Sequence, residues 1–571
     1  FSKQKTSPPA RYLSNARISN SMISSGCIID GAVINSVLGR DVIIKKGAIV
    51  KNSYVMSNSV IEESAHIEYG LLDKQTIVIK DTLVVGTLHN PYVTQKEQIV
   101  TNFQNVRVLQ VASESYPFIK TGGLADVIGG LSRNLVKQGV DVTVIIPYYN
   151  KIKDSFTESI KSEYVKVIEY GEELYKVRIY SYNYKKVRYY FVDSFDFFDT
   201  EKVYGYENDV ERFAFFNKVV VEMMDDLPTF DLVHIHDWHT SLIPLILDNS
   251  PHKGVKTLLT IHNIDYQGIG SSDVIKKLNI KDFIFRENQI NCLQIGVNTA
   301  SKLSTVSPTY KEELKYEYYG KNLTYQLLKR EREFYGILNG ISSSWNPDTD
   351  KLIYENYNID TFEHKNANKE YLQKISDLPV GGQYFIIGMV TRIVEQKGFD
   401  LIIHSFKSLL KEYPLIQFVL LGSGDEYFIG ELRKIEELYP QQVRLNIGYD
   451  SAIPNNIYSG CDVFLMPSRF EPCGLGQMIA LKYGTLPIVR RTGGLNDTVT
   501  KYDELTKKGN GFTFQNYDSF EMKETIEEAY DVFVNKPNSW QMLIKRAMKE
   551  ENSVKKSTSK YVELYQTILK N

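Results

Sequence analysis

The chain is poor in cysteine and tryptophan: Cys27, Cys292, Cys461 and Cys473 are the four cysteines among 571 residues, and there are three tryptophans. Four cysteines exclude a disulfide scaffold and fit a reducing compartment, so a cytoplasmic location is expected. Neither sign of charge is in excess, with 67 Lys+Arg against 69 Asp+Glu. That balance excludes the bulk positive field by which proteins gather nucleic acid or acidic membrane. No apolar run approaches the ~18 residues of a membrane-spanning helix. The segment Phe1-Ser-Lys-Gln-Lys-Thr-Ser-Pro-Pro9 has no signal-peptide core. It does not begin with Met, so the chain is expected to be a piece of a longer product. Neither a Walker loop nor G-x-G-x-x-G is present, so simple nucleotide folds are not indicated. What remains is a globular composition, 43% hydrophobic and 24% charged. At about 150 residues per domain the length suits three or four domains, or two or three if large α/β domains are present.

Two textures meet near residue 95. Before it, aliphatic residues recur every five positions, at Ile18, Ile23, Ile28, Val33, Leu38 and Ile43, and then every six, at Ile49, Val55, Ile61 and Ile67. Two positions before each of the last five stand Asp41, Gly47, Ser53, Ser59 and Ala65, all small or turn-compatible. Such a repeat suits a β-helix, whose coils bury their apolar faces only on one another. Helical periodicity does not fit these steps.

After residue 104 the pattern becomes strands alternating with helices. Apolar strands are expected at 106–112, 141–147, 231–236, 255–261 and 301–306. A second set is expected at 384–390, 418–422, 443–447, 462–466 and 486–489, beyond the polar stretch Ser342–Lys374. Alternating β and α implies parallel sheets covered by helices. Two such sets predict two doubly wound domains with a cleft between them, and ligands bind at the carboxyl ends of such strands.

Several motifs fall at those strand ends. Lys120-Thr-Gly-Gly-Leu-Ala-Asp126 follows a strand and opens a helix, so Gly122 and Gly123 would let backbone amides approach an anion beside the Lys120 charge. On its own a Gly-Gly pair there more often marks a turn. Arg392 and Lys397 follow another strand and could hold a diphosphate; two solvated charges is the plain alternative. In Ser468-Arg-Phe-Glu-Pro-Cys-Gly-Leu475, Glu471 can bind sugar hydroxyls and the Gly474 turn can expose amides. Cys473 has no activating base in its motif, so a buried structural thiol is expected. Arg491-Thr-Gly-Gly-Leu495 is a further glycine turn that could serve folding or binding. His234, His236 and His239 suggest a metal at first sight. On a strand, however, the first two share a face and the third lies past the end, and no Cys or Glu completes a zinc spacing. No metal is expected, and one of these histidines is expected near the reacting group. His66, in the repeats, has no second histidine beside it and is expected at a surface or an edge.

Taken in order, Ser113-Glu-Ser-Tyr-Pro, Lys120-Thr-Gly-Gly-Leu-Ala-Asp-Val, His234-Ile-His-Asp-Trp-His, Thr260-Ile-His-Asn, Val306-Ser-Pro-Thr-Tyr, Gly336-Ile-Leu-Asn-Gly-Ile, Thr391-Arg-Ile-Val-Glu-Gln-Lys-Gly, Pro467-Ser-Arg-Phe-Glu-Pro-Cys-Gly-Leu and Lys482-Tyr-Gly-Thr-Leu-Pro-Ile-Val-Arg-Arg-Thr-Gly-Gly-Leu are far more specific than any one motif. Over about residues 104–571 the chain resembles the bacterial glycogen synthases and plant starch synthases, glycosyltransferase family 5. The resemblance implies a GT-B fold and transfer of glucose, with retention, from ADP-glucose to the non-reducing end of an α-1,4-glucan such as glycogen. ADP-glucose is then a substrate, and no cofactor is implied. It also implies roles. Lys120, Gly122 and Gly123 would meet the donor phosphates and acceptor side, and Arg392 and Lys397 would bind the diphosphate. Glu471, with the amides of Cys473, Gly474 and Leu475, would hold the glucose. His236 would sit beside the anomeric centre, and Glu114, Asp126, Asn263 and Thr492 would line the same cleft. Three departures stand out. Asn208-Asp209 replaces the usual Asp-Asn, Ser342 replaces an Asp, and Glu551-Asn-Ser-Val554 stands where Asp-Phe-Ser-Trp is common, so the final helix is expected to pack differently.

The repeats resemble instead the C-terminal left-handed β-helix of bacterial glucose-1-phosphate adenylyltransferase, through Asn52-Ser-Tyr-Val-Met, Ile61-Glu-Glu-Ser-Ala and Leu71-Leu-Asp-Lys. The expected organisation is therefore a β-helix over 1–95, an acceptor-side Rossmann-like domain over 104–345, and a nucleotide-sugar-side domain over 346–571 whose last helix crosses back. Self-association or contact with adenylyltransferase subunits through the β-helix is expected, and nucleic acid and membrane are not expected partners. Two other readings compete: a β-helix acyltransferase, with His66 as its candidate base, and a non-catalytic glucan-binding scaffold, suggested by the fusion and by Asn208-Asp209.

Overall fold

The computed structural model describes residues 7–100, 106–156, 159–280, 288–448 and 453–570. The expected boundary at residue 104 and the first six residues lie outside that set. Residues 11–100 wind into three sheets of six, five and five short strands, each pairing in parallel with the coil above and below. Ile43, Val60 and Ile77 stand in register on successive coils. The inward columns include Val33, Val50, Ile67 and Val84, and Leu38, Val55 and Leu72, all buried. At three places the inward residue is one position later than the five- and six-residue steps predict. Ile29, Ile44 and Val50 point in, whereas Ile28, Ile43 and Ile49 are only half-buried. Where two aliphatics stand side by side the spacing cannot choose between them, and the coil corner does. The corners are tight. Asn35, Asp41, Asn52 and Asn58 all carry φ near +50 to +60°, the left-handed region that Asn and Asp enter more readily than other side chains.

The next domain is built on a nine-stranded sheet. Its strands are β1 (Arg107–Val111), β2 (Asp141–Pro147), β3 (Lys161–Tyr170), β4 (Glu173–Tyr184), β5 (Val187–Asp193), β6 (Leu232–His236), β7 (Lys256–Ile261), β8 (Lys302–Thr305) and β9 (Phe334–Gly336). The order is β3-β4-β5-β2-β1-β6-β7-β8-β9, parallel except at the β3–β4 and β4–β5 hairpins. The third domain carries an all-parallel sheet of β10 (Phe385–Val390), β11 (Ile416–Gly422), β12 (Val443–Ile447), β13 (Val463–Met466), β14 (Leu486–Arg490) and β15 (Phe512–Phe514), ordered β12-β11-β10-β13-β14-β15. Central strands such as Val108–Val111 and Phe418–Leu420 are buried on both faces, which is why they read as continuous apolar runs.

The helices that matter for the cleft are α1 (Gly123–Lys137), α2 (Asp209–Met223), α3 (Pro308–Glu313), α4 (Gly476–Lys482), α5 (Gly493–Thr498) and α6 (Val554–Lys570). α6 ends the chain but lies on α1 of the first Rossmann-like domain. A Cβ on Gly130 of α1 would stand 3.2 Å from Val554 Cγ2, so the absent side chain makes room for this packing. The β-helix is not a detached rod. Ile79 and Ile99 are buried in the same apolar cluster as the first Rossmann-like domain, and Ile77 packs against it. Among the described residues no helix is long and apolar enough to cross a membrane.

Candidate active site

The two Rossmann-like sheets turn their carboxyl ends toward one another. From the first come the loop after β1, with Glu114, Lys120 and Gly122, and the residues after β6 and β7. From the second come Arg392 and Lys397 after β10, Ser468–Leu475 after β13, and Thr492 after β14. The domains meet where α1 begins, since a Cβ on Gly123 would stand 3.7 Å from Leu475 Cδ1. Nearby, Lys321 Nζ lies 5.7 Å from the centre of the Phe470 ring and 3.5 Å from Asp265. Lys321 thus links the two walls of the cleft.

On the second-domain wall, Lys397 Nζ lies 2.6 Å from Glu471 Oε2, with side chains only 15% and 9% exposed. Ser468 Oγ donates to the same oxygen at 3.0 Å. Among the described residues Glu471 Oε1 has no such partner, so one oxygen is anchored and the other can meet a hydroxyl. Arg392 is exposed and makes no ion pair among the described residues, which leaves a free guanidinium at the end of β10. Gly474 takes φ +69°, a conformation that turns the chain from the Glu471 loop into α4. The Cys473 thiol is buried, and burial pushes it up to about 12. It is a packed, protonated thiol rather than a nucleophile.

On the first-domain wall, Glu114 is buried and accepts from the Thr121 amide and, at 2.7 Å, the Thr121 hydroxyl. Desolvation outweighs these donors and raises its carboxyl to about 7. Lys120 and Asp126 pair at 2.7 Å, half in solvent. Asn263 is half-buried and folds its side-chain oxygen onto the Asp265 amide at 3.1 Å.

Of the expected site residues, His236 and Thr492 are completely shut off from solvent. Both ring nitrogens of His236 are engaged, Nε2 with Gln110 Oε1 and Nδ1 with His262 Nε2, each at 3.0 Å. Because Gln110 Oε1 only accepts, His236 Nε2 carries the hydrogen and His262 Nε2–H donates to His236 Nδ1. His262, only half-buried, stands in front of it. Thr492 is fully buried, and its hydroxyl donates to Glu313 Oε1 at 2.9 Å. The remaining histidines part company: His234 bonds Tyr565 and Thr260, each at 2.7 Å, while His239 packs among Tyr204, Phe213 and Trp238. Among the described residues no group of three or more His, Cys, Asp or Glu is placed to hold a metal ion.

Asp237 was not expected to matter, yet it organises this wall. It sits at φ +56° between β6 and the following turn, and Oδ1 accepts from the amides of His262 at 2.7 Å and Asn263 at 3.3 Å. Burial raises its carboxyl to about 7. Its position just past a strand end was the one available sequence signal. Asn208 is exposed, whereas Asp209 ion-pairs with the buried Arg212 and accepts from the Gly205 amide at 2.7 Å. The Asp in this pair therefore holds the loop before α2. In the β-helix, His66 Nε2 lies 3.8 Å from Glu68 and both are partly exposed.

Two Rossmann-like domains with cations and a mostly buried carboxylate at the facing strand ends define the architecture of a GT-B glycosyltransferase. The comparisons with known proteins agree. Residues 107–329 match the family described as starch synthase catalytic domain, residues 373–549 the glycosyl transferases group 1, and residues 8–100 the GlmU-like C-terminal hexapeptide family. Glycogen synthases of Bacillus cereus (strain Q1) and Alkaliphilus metalliredigens (strain QYMF) are each 39% identical, over 81% of this chain and 100% of theirs. The catalytic domain of starch synthase IV from Arabidopsis thaliana, solved bound to ADP and acarbose, superposes with a TM-score of 0.76 at 32% identity, over 82% of this chain and 100% of that one. Sucrose-phosphate synthase from Thermosynechococcus elongatus shares the fold, with a TM-score of 0.52 at 14% identity over 82% of this chain and 100% of its own. The chain belongs to the glycogen synthase family, with a hexapeptide β-helix joined at its N-terminal side.

Proposed function

We propose that the chain transfers glucose from ADP-glucose to the non-reducing end of an α-1,4-glucan with retention of configuration. The observation that carries this reading is the Lys397–Glu471 pair beside the unpaired Arg392, facing the Lys120–Gly123 loop across the cleft. When the glycosidic bond to the diphosphate breaks, negative charge grows on the leaving phosphate. Arg392 and the Lys397 ammonium are the fixed cations available to it, and a well-placed donor of this kind supplies about 2.7–4 kcal/mol. Glu471 binds a glucose hydroxyl through its free oxygen, helped by the amides after Cys473. The leaving phosphate takes the acceptor proton, so attack and departure share one face of the sugar. No metal cofactor is assigned a role. His236 acts from behind His262, and Thr492 acts through the turn that it anchors. Four buried free cysteines suit a cytoplasmic workplace.

The β-helix is assigned to self-association. Met22, Val37, Tyr54, Leu71 and Val93 stand in register on one outer face, and all but Val37 are exposed. An uncharged apolar ladder is complementary to itself, as a twofold contact requires.

Initial rates with ADP-glucose and UDP-glucose at equal concentration, glycogen as acceptor and nucleoside diphosphate release as readout, test the donor. ADP-glucose is expected to be faster, and an equal or higher UDP-glucose rate refutes the assignment. Proton NMR of the first product linkage tests retention, and a β-linkage refutes it.

A further inference from the structure

We infer that Glu313 is a positioning residue: reaching across from the first Rossmann-like domain, it holds the Thr492–Gly494 turn against the backbone of Glu471–Cys473 and so sets the sugar-binding carboxylate. The inference rests on the reading of Glu471 given above. Glu313 ends α3, and the turn it meets opens α5, so the contact joins one domain to the other.

The geometry is specific. Glu313 Oε1 accepts both the Thr492 hydroxyl at 2.9 Å and the Gly493 amide at 3.0 Å. Its second oxygen is buried and has no hydrogen-bond partner among the described residues. A half-satisfied carboxylate is a costly way to join two domains if contact is all that is needed, because a buried acceptor without a donor is destabilising. What an apolar side chain cannot do is fix the turn through two directed hydrogen bonds.

The turn in its fixed place bears directly on the site loop. Gly493 takes φ +42°, and a Cβ there would stand 2.0 Å from the Glu471 carbonyl oxygen. A Cβ on Gly494 would stand 2.1 Å from the Cys473 carbonyl oxygen. The Gly494 amide donates to the carbonyls of Glu471 and Pro472, both at 3.2 Å. The two backbones touch with no side chain between them, so a shift of the turn displaces the Glu471 loop. A second set of contacts lies further out, where the Thr309 amide and hydroxyl donate to Asp497 at 2.9 and 2.7 Å and Asn496 donates to Thr309 at 3.0 Å. These keep α3 beside α5 but do not reach the Glu471 loop.

Three variants in the full chain test the inference: Glu313→Ala, which removes both hydrogen bonds; Glu313→Gln, which keeps an acceptor oxygen in the same place; and Glu313→Ala combined with Glu471→Ala. Glu313→Ala is expected to lower kcat at least tenfold, Glu313→Gln to recover to within threefold of the parent, and Glu313→Ala to cost less than twofold once Glu471 is already alanine. Hydrogen exchange of the peptide spanning 470–476 reads the loop without substrate. It is expected to quicken in Glu313→Ala and return to the parent rate in Glu313→Gln. If Glu313→Ala fails to fold, Thr492→Val removes one of the two bonds at constant shape, and it is expected to show the same two effects at smaller size. An unchanged exchange rate, or an equal loss of kcat with and without Glu471, overturns the inference. A parent protein inactive with ADP-glucose would instead refute the proposed function, and the exchange measurement would still decide the role of Glu313.

Discussion

Arg392 and Lys397 should fail in different ways when each is replaced by alanine. Both are expected to lower kcat by about 100-fold or more, because each is placed to meet charge that develops only as the bond breaks. Their effects on stability should separate. Arg392 is exposed and unpaired among the described residues, so Arg392→Ala should leave Tm within about 1 °C, as exposed substitutions without partners do. Lys397 neutralises Glu471 at 2.6 Å in a mostly buried setting. Removing one partner of a fully buried pair costs about 3–5 kcal/mol; with Ser468 Oγ still donating at 3.0 Å, about 2–3 kcal/mol is expected here. If the nucleotide-sugar domain without α6 melts as a unit of about 210 residues, its unfolding entropy is about 0.44 kcal/mol per kelvin, so Tm falls by about 5–7 °C. Initial-rate kinetics and differential scanning calorimetry on the two variants decide it. The reasoning fails if either substitution raises only KM, or if the two shift Tm equally.

Removal of residues 1–100 should leave kcat within about threefold, a barrier change of ~0.65 kcal/mol, and should lower the mass seen by light scattering. Because Ile79 and Ile99 leave the shared core, at about 2–5 kcal/mol per large apolar side chain lost, Tm of the remainder should also fall. A folded but inactive deletion would show that the β-helix completes the site. Glu114 rises from an ordinary 4.5 to about 7 by burial, so the fold favours its protonated form. That stability is present in full below pH 4.5 and is lost as the pH climbs through 7, by on the order of 3 kcal/mol. Asp237 and the buried histidines titrate alike in the parent and in Glu114→Gln, so thermal scans of the two from pH 4.5 to 8 should differ by this decline; an identical slope would remove Glu114 from the account. EDTA should leave the transfer rate unaltered, since the rings of His234 and His236 are already committed to protein partners. Loss of rate restored by zinc or magnesium would overturn that expectation.

The sequence by itself determined the architecture of this protein and the places where its chemistry would gather. Aliphatics five or six apart require stacked coils, and apolar runs alternating with amphipathic helices require parallel sheets. Glycines and cations just past the strands mark the ends that face a ligand. Those signals are local in the chain, so they are legible without coordinates; the family resemblance puts Lys397 on the diphosphate and Glu471 on the glucose, and their ion pair, 74 residues apart, is a finding of the fold. The tertiary structure decided what depends on side-chain direction and distant contact. Between Ile28 and Ile29, or Ile43 and Ile44, only the coil corner selects the inward residue. Thr492 sits in a glycine turn like those that bind ligands, yet its hydroxyl is spent on Glu313, 179 residues earlier. His236 lies at the strand end where a sugar could sit, but Gln110 and His262 close over its ring. No spacing rule carries such pairings, because they arise only when strands far apart in the chain pack side by side or, for Thr492 and Glu313, when two domains meet.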